Sequence, residues 1–248
     1  THAGAAYASS AEPTIVVEGK GAATSRRLRS PPVVGIYVAS YNTCAITRRC
    51  VESVLAHTRG DFELTVGDSS SRDGSVEMLR EFEQRGALRL QVEAEPRMHA
   101  WWLDRWVTEC PHPYAAFVDS DVVILRDGWL ERLVRAADRR GAAIVAGELR
   151  GELKDYVGPA EYGSVTVRTA ARPGPWLMLV RPEAIRRLGC SYAYENEHTD
   201  AVPEGVVAYD VGARVYQRAL AAGLPVRIMP PWYRLRFYRH LRGGSWRR

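Results

Sequence analysis

Lysine is nearly missing from this chain. Of its 34 Lys and Arg residues only Lys20 and Lys154 are lysines, so arginine carries the formal charge of +5. The guanidinium is a planar, permanently charged fork that suits phosphate or carboxylate, and a balance of this size permits an anionic ligand without requiring one. Long apolar runs are missing as well. None approaches the roughly 18–20 residues that a membrane-spanning helix needs, so no transmembrane segment is expected. Cys44, Cys50, Cys110 and Cys190 make no C-x-x-C pair, and their spacings suit neither a zinc site nor a disulfide framework. The chain opens with no basic segment followed by an apolar core, so no secretory leader is expected and reduced cytoplasm is the expected compartment. No repeat period is present, which excludes collagen, coiled coils and solenoids. A G-x-S-x-G elbow is missing, which argues against hydrolase chemistry, and the basic residues match no motif that reads nucleic acid.

What is present has ordinary globular composition: 248 residues, 46% apolar and 25% charged, enough for one large α/β domain. Residues 1–32 are rich in Ala, Ser, Gly and Arg and read as a loosely ordered extension. Gly19-Lys20-Gly21-Ala22-Ala23-Thr24 mimics a dinucleotide fingerprint there, but Thr24 stands at the third glycine position and Pro31-Pro32 stop any crossover helix. Two arginine-rich stretches, Arg26–Arg29 and Arg234–Arg248, read as solvated tails or faces.

From Val33 onward strands and helices alternate. Strands are expected at Val33–Ala39, Phe62–Gly67, Leu88–Val92 and Tyr114–Val118, with helices at Ile46–Leu55, Gly74–Arg85 and Trp101–Val107. This rhythm predicts a mostly parallel sheet with helices on both faces. The later half is less regular: a helix over Trp129–Ala137, strands at Ala143–Ala146, Leu177–Val180 and Pro225–Met229, and a helix over Val211–Ala222. Residues 33–248 are expected to form one domain, with 33–125 as one half and 126–248 as the other.

In an open α/β sheet, ligands sit beyond the carboxyl ends of the strands. Those ends carry Ala39-Ser40-Tyr41-Asn42, then Asp68 with Ser69 to Ser75, then Glu95-Pro96-Arg97, then Asp119-Ser120-Asp121. If the fourth strand continues, Asp119 and Asp121 point the same way at i and i+2. Two adjacent carboxylates repel unless a cation or proton lies between them, and hard oxygen ligands favour Mg²⁺ or Mn²⁺. A solvated turn is the plainer alternative. Trp101, Trp102 and Trp106 read as core and crevice wall.

In order and spacing these segments resemble the family 2 inverting glycosyltransferases, which use nucleotide-diphospho-sugar donors on the GT-A fold. The resemblance rests on Val33–Asn42 (VVGIYVASYN), Val51-Glu52-Ser53-Val54-Leu55 with His57-Thr58, Phe62–Asp68, Asp73-Gly74-Ser75 and Asp119-Ser120-Asp121. Later, Tyr238–Trp246 looks like that family's His-Gly-Gly-Ser segment. The sequence departs from the family in having Ala39 where a Pro is usual, and Asp68-Ser69-Ser70 where the turn is usually more acidic.

The resemblance implies a metal-dependent transfer of a sugar from a nucleotide-diphospho-sugar, with UDP as the first nucleotide to consider, to a hydroxyl of a soluble acceptor such as a small natural product, a sugar or a peptide. It implies that Ala39, Tyr41 and Asp68 enclose the donor base, with Arg97, Asp119, Ser120, Arg242 and Ser245 along the ribose, sugar and diphosphate. Asp121 would hold Mn²⁺ or Mg²⁺, joined by His240. From spacing alone, His240 reads first as an exposed tail histidine. The catalytic base falls on Asp210, just before the late helix, a residue that also reads as a helix N-cap. Trp176, Glu197 and His198 fall on the acceptor side, where simple burial is the competing reading for Trp176. A non-catalytic sugar-nucleotide scaffold is the alternative, although Asp121 and Asp210 are both present. Nucleotidyl transfer is disfavoured, because the first strand ends in Ser40-Tyr41-Asn42 and has no Gly-rich loop to cradle a triphosphate. Oligomeric state is left open.

Overall fold

A computed structural model describes residues 33–150, 154–157, 166–169, 172–192, 208–209 and 211–241. The expected extension over 1–32, with its fingerprint mimic, lies outside the described residues. Strand β1 (Val34–Ser40) is followed by α1 (Cys44–His57), β2 (Phe62–Asp68), α2 (Ser75–Gln84), β3 (Arg89–Val92), α3 (His99–Glu109) and β4 (Tyr114–Asp119). Then come β5 (Val122–Ile124), α4 (Trp129–Arg140), β6 (Ile144–Ala146), β7 (Leu149–Arg150), β8 (Lys154–Val157), β9 (Thr166–Thr169), β10 (Arg172–Pro173) and β11 (Leu177–Val180). The chain closes through α5 (Pro182–Arg186), β12 (Ala208–Tyr209), α6 (Ala213–Ala221), β13 (Val226–Ile228), α7 (Pro231–Phe237) and β14 (Tyr238–His240).

Seven strands make the central sheet in the order β13-β6-β11-β4-β1-β2-β3, with β11 antiparallel to both of its neighbours and the other pairings parallel. The period-2 alternation of a strand explains how one sheet serves two cores. Val34, Ile36 and Val38 of β1, with Tyr114, Ala116 and Val118 of β4, face a cluster closed by α1, α2, α4 and α7. Tyr37 of β1, with Ala115 and Phe117 of β4, faces the other cluster, closed by α3, α5 and α6. Trp102 and Trp106 are fully buried in that second cluster, as expected for core. Removing either side chain should cost about 3–5 kcal/mol.

Two expectations are refined. Where it is described, the arginine-rich stretch from Arg234 is a solvated face and not a tail: residues 231–237 form α7 and residues 238–240 form β14, with Arg236 and Arg239 exposed and Tyr233, Phe237 and Tyr238 buried. The cause is aromatic spacing, since Tyr233 and Phe237 at i and i+4 put both rings on one face of a short helix. The fourth strand also stops at Asp119. Ser120 and Asp121 form a turn, so a continuing strand is not what brings the two carboxylates together.

Candidate functional site

The parallel register lines up the expected residues at one sheet edge. Ala39 lies beside Gly67 on one side and Asp119 on the other, and Ser40 lies beside Asp68. After the turn at Asp121, β5 pairs antiparallel with β14, which sets His240 opposite Val122. The Leu241 N–H donates to the Asp121 carbonyl oxygen at 2.9 Å and closes the ladder. This late strand delivers the imidazole: His240 Nε2 stands 3.1 Å from Asp121 Oδ1. One ligand atom from each of Asp119, Asp121 and His240 lies within 4.8 Å of the others.

The donor set fits a divalent cation. Asp119 Oδ1 is buried without accepting a hydrogen bond from any described residue, although His99 Nε2 stands 3.1 Å away. A buried carboxylate oxygen with no well-formed hydrogen bond and a single imidazole beside it is poorly compensated, and a cation at that point lowers the cost. Two carboxylates and one imidazole suit Mn²⁺ or Mg²⁺, with the nitrogen favouring Mn²⁺. Beneath them the Cys50 thiol donates to the Asp119 carbonyl oxygen at 3.4 Å. Burial, with Asp119 and Asp121 nearby, pushes that thiol far up, so it stays protonated and inert.

Behind the imidazole lies Trp176, its ring stacked on His240 with centroids 5.1 Å apart and planes 16° apart. The indole Nε1 donates to Glu148 Oε1 at 2.9 Å, and Glu148 Oε2 accepts from Arg234 Nη1 at 3.0 Å. Trp176 is only 9% exposed, so the residue expected as an acceptor platform forms a buried back wall.

The loops after β1 and β2 are knitted by short polar side chains. Asp68 is fully buried at the end of β2, with Oδ1 accepting from the Ser71 N–H at 2.8 Å and Oδ2 from the Ser71 hydroxyl at 2.7 Å. The Asn42 N–H donates to Ser71 Oγ and the Arg72 N–H to Asn42 Oδ1, each at 2.8 Å, tying the loop after β1 to the loop after β2. Asn42 and Ser70, in these two loops, are the non-glycine residues with positive φ among the described residues, at 49° and 62°. Such conformations cost energy and persist only where surrounding bonds fix them. Ser69 Oγ accepts from Trp102 Nε1 at 2.8 Å and donates to the Arg97 carbonyl oxygen at 3.0 Å. The Arg97 guanidinium rests over the Trp101 ring at 5.2 Å. Tyr41 is 43% exposed at the mouth of the crevice.

Of the expected site residues, Ala39, Asp68, Asp119, Ser120, Asp121 and His240 therefore meet along one edge, with Tyr41 and Arg97 at its rim. Asp210, Glu197, His198, Arg242 and Ser245 lie outside the described residues. His99 was not among the expected residues. Sequence periodicity starts α3 at Trp101, whereas the helix begins at His99 and turns that imidazole onto Asp119.

The fold and this edge define a GT-A glycosyltransferase. Residues 36–162, half of the chain, match the sequence model of glycosyl transferase family 2, and the chain belongs to that family. TarS 1–349 of S. aureus, solved in complex with UDP, superposes with a TM-score of 0.55 at 12% identity, over 83% of this chain and 59% of that one. The mannosyltransferase PcManGT of Pyrobaculum calidifontis, solved with GDP-Man and Mn²⁺, gives 0.51 at 18% identity, over 82% and 67%. In sequence, the chain is 39% identical to a chondroitin synthase of Escherichia coli over 57 residues, 23% of this chain and 8% of that protein. It is 27% identical over 125 residues to the uncharacterised protein y4gI of Sinorhizobium fredii, 49% of this chain and 14% of that protein. The matched stretches thus span only a small part of both relatives.

Proposed function

We propose that this glycosyltransferase is metal-dependent and inverting, and that it moves a sugar from a nucleotide-diphospho-sugar, a UDP-sugar first among the donors, to a hydroxyl of a soluble acceptor. The observation that carries the reading is the cluster of Asp119, Asp121 and His240 at the carboxyl edge of the sheet, one ligand atom of each within 4.8 Å of the others. The neighbours solved with UDP and with GDP-Man and Mn²⁺ support a nucleotide-sugar donor and a divalent ion.

In this reading residues 33–125 form the donor half and 126–248 the acceptor half. Asp121 and His240 hold the ion, and Asp119 reaches the ribose or the sugar. Bound there, Mn²⁺ or Mg²⁺ supplies a Lewis acid for the charge that grows on the departing diphosphate. Ala39, Tyr41 and Asp68 enclose the base, which requires the Asp68 carboxylate to trade part of its Ser71 contact for the ligand. Arg97, Ser120, Arg242 and Ser245 flank the diphosphate and sugar. Asp210 takes the proton from the acceptor hydroxyl as its oxygen attacks the anomeric carbon opposite the leaving nucleotide, which inverts the configuration. Glu197 and His198 orient the acceptor, while Trp176 takes the narrower role of bracing His240.

Calorimetric titration of UDP, dTDP and GDP into the protein, each with and without Mn²⁺, tests the reading. Binding of one nucleotide that requires Mn²⁺ and is lost in Asp121→Asn supports it. Equal binding with and without the ion removes the metal assignment.

A further inference from the structure

Helix α4 carries Arg132, Arg135 and Arg139 at i, i+3 and i+7, opposite the stripe of Leu130, Leu133, Ala136 and Ala137 that it buries in the core. That spacing stacks three like charges along one solvent-facing stripe, and Arg140 adds a fourth at the helix end. The edge strand β13 supplies a fifth. Arg227 pairs in register with Val145, whose side chain belongs to the same core cluster as α4, so Arg227 lies on the α4 side of the sheet. Together these five arginines line a cavity of about 370 Å³, floored by Met229 and Pro230 and walled by Trp232. Among the described residues no Asp or Glu lines it.

Of the two acids of α4, Glu131 is not among the residues that line the cavity, and Asp138 is engaged elsewhere. Asp138 accepts from Tyr114 and from Arg181 on the sheet side. None of the five arginines forms an ion pair among the described residues, and Arg227 Nε is buried there without a hydrogen-bond partner. Arg132 instead rests over the Trp232 and Phe237 rings at 5.6 and 5.1 Å. Neighbouring guanidinium groups repel one another, and a buried donor without an acceptor is costly, so an oxyanion shared among them would relieve both.

We propose that this arginine pocket between α4 and β13 is a binding site for a phosphate group, separate from the donor crevice. The fork geometry of arginine matches phosphate oxygens bidentately, and several arginines suit a multiply charged oxyanion. Two sources share this chemistry. One is a soluble phosphate or phosphate ester. The other is a phospholipid headgroup, for which the neighbouring α7 offers exposed apolar side chains, Trp232 at 43% and Leu235 at 79%. The proposal rests on no part of the donor-site reading.

The test uses the full chain in EDTA, so that the cluster of Asp119, Asp121 and His240 holds no ion. Inorganic phosphate is titrated calorimetrically at constant ionic strength into wild type, into Arg135→Ala/Arg139→Ala, and into Arg80→Ala/Arg218→Ala, which removes the same charge from exposed positions on α2 and α6. In parallel, co-sedimentation compares vesicles of phosphatidylcholine with vesicles that also contain phosphatidylglycerol. The pocket double variant should weaken phosphate about tenfold or abolish retention on anionic vesicles, while the control double variant changes either by less than about twofold. A phosphate effect alone assigns a soluble ligand, and a vesicle effect that Leu235→Ser also reduces assigns a lipid headgroup. Equal losses in the two double variants, or no binding to either probe by wild type, overturn the proposal.

Discussion

Trp176 lies flat against His240, with the two rings 5.1 Å apart and nearly parallel. Trp176 is fixed in turn through Glu148 and Arg234, so the ring behind the imidazole is itself held in place. Groups that orient a metal ligand typically contribute 10- to 100-fold to metal affinity. Trp176→Ala should therefore raise the Mn²⁺ concentration for half-maximal nucleotide binding by about tenfold or more, with Trp176→Phe recovering most of it. An unchanged Mn²⁺ requirement in the alanine variant would show that the stacking does not position His240.

Asp121→Asn should abolish Mn²⁺-dependent nucleotide binding with the circular dichroism spectrum unchanged. The substitution relieves the repulsion between two carboxylates but gives up the Asp121 contact to His240, so the readout is the metal-induced shift and not the metal-free melting temperature. The upward Tm shift given by Mn²⁺ should vanish. A retained Mn²⁺ shift would sink the role given to this carboxylate.

Asp210→Asn should slow turnover by about 10²- to 10⁴-fold while leaving donor affinity intact, as for removal of a general base. If the rate survives, the base belongs to the segment with Glu197 and His198.

Asp73 gives a pH dependence whose sign can be worked out. Burial alone would raise its carboxyl, but the Ser75 hydroxyl and the Cys44 and Ser75 N–H groups donate to it and hold it below its ordinary range. A depressed folded value means stability that is fully present above the unfolded value, near pH 4, and lost as pH falls through the folded one. Asp73→Asn should melt below wild type at pH 7, with the gap closing as the medium is acidified below about pH 4. A constant gap down to pH 3 would mean that the bonds to Asp73 contribute nothing through its charge.

Gly67 stands where β2 passes under Trp102, and a Cβ there would lie 2.6 Å from the indole ring. Because Trp102 is fully buried and bonded to Ser69, it has nowhere to go. Gly67→Ala should cost about 1–3 kcal/mol in chemical denaturation and should disturb Asp68 next door. A variant as stable as wild type would show that α3 can shift without loss.

Most of the sheet was legible in the sequence because its strands are short apolar runs bounded by turn residues. Leu177–Val180 is found as expected, and Phe62–Gly67 extends by one residue to Asp68. The site was legible only in part. Asp119 and Asp121 stand out because acids rarely end a buried strand, whereas β5 and β14 are three residues each and have no periodicity to detect. Their pairing is a tertiary event, so nothing local marks His240 as a neighbour of Asp121. For Trp176 the sequence leaves burial and an acceptor-side role open for a related reason: it shows an aromatic residue but not which of its faces is already taken.

The pairing of β14 with β5 also sets an order of assembly. Asp119 and Asp121 belong to a strand and turn in the middle of the chain, and the imidazole that completes their cluster arrives only when a much later strand docks beside them. Closing so long a loop is entropically costly and comes late in folding. A chain shortened before residue 238 would keep β4 and the turn that carry Asp119 and Asp121 but lack the imidazole that stands beside them.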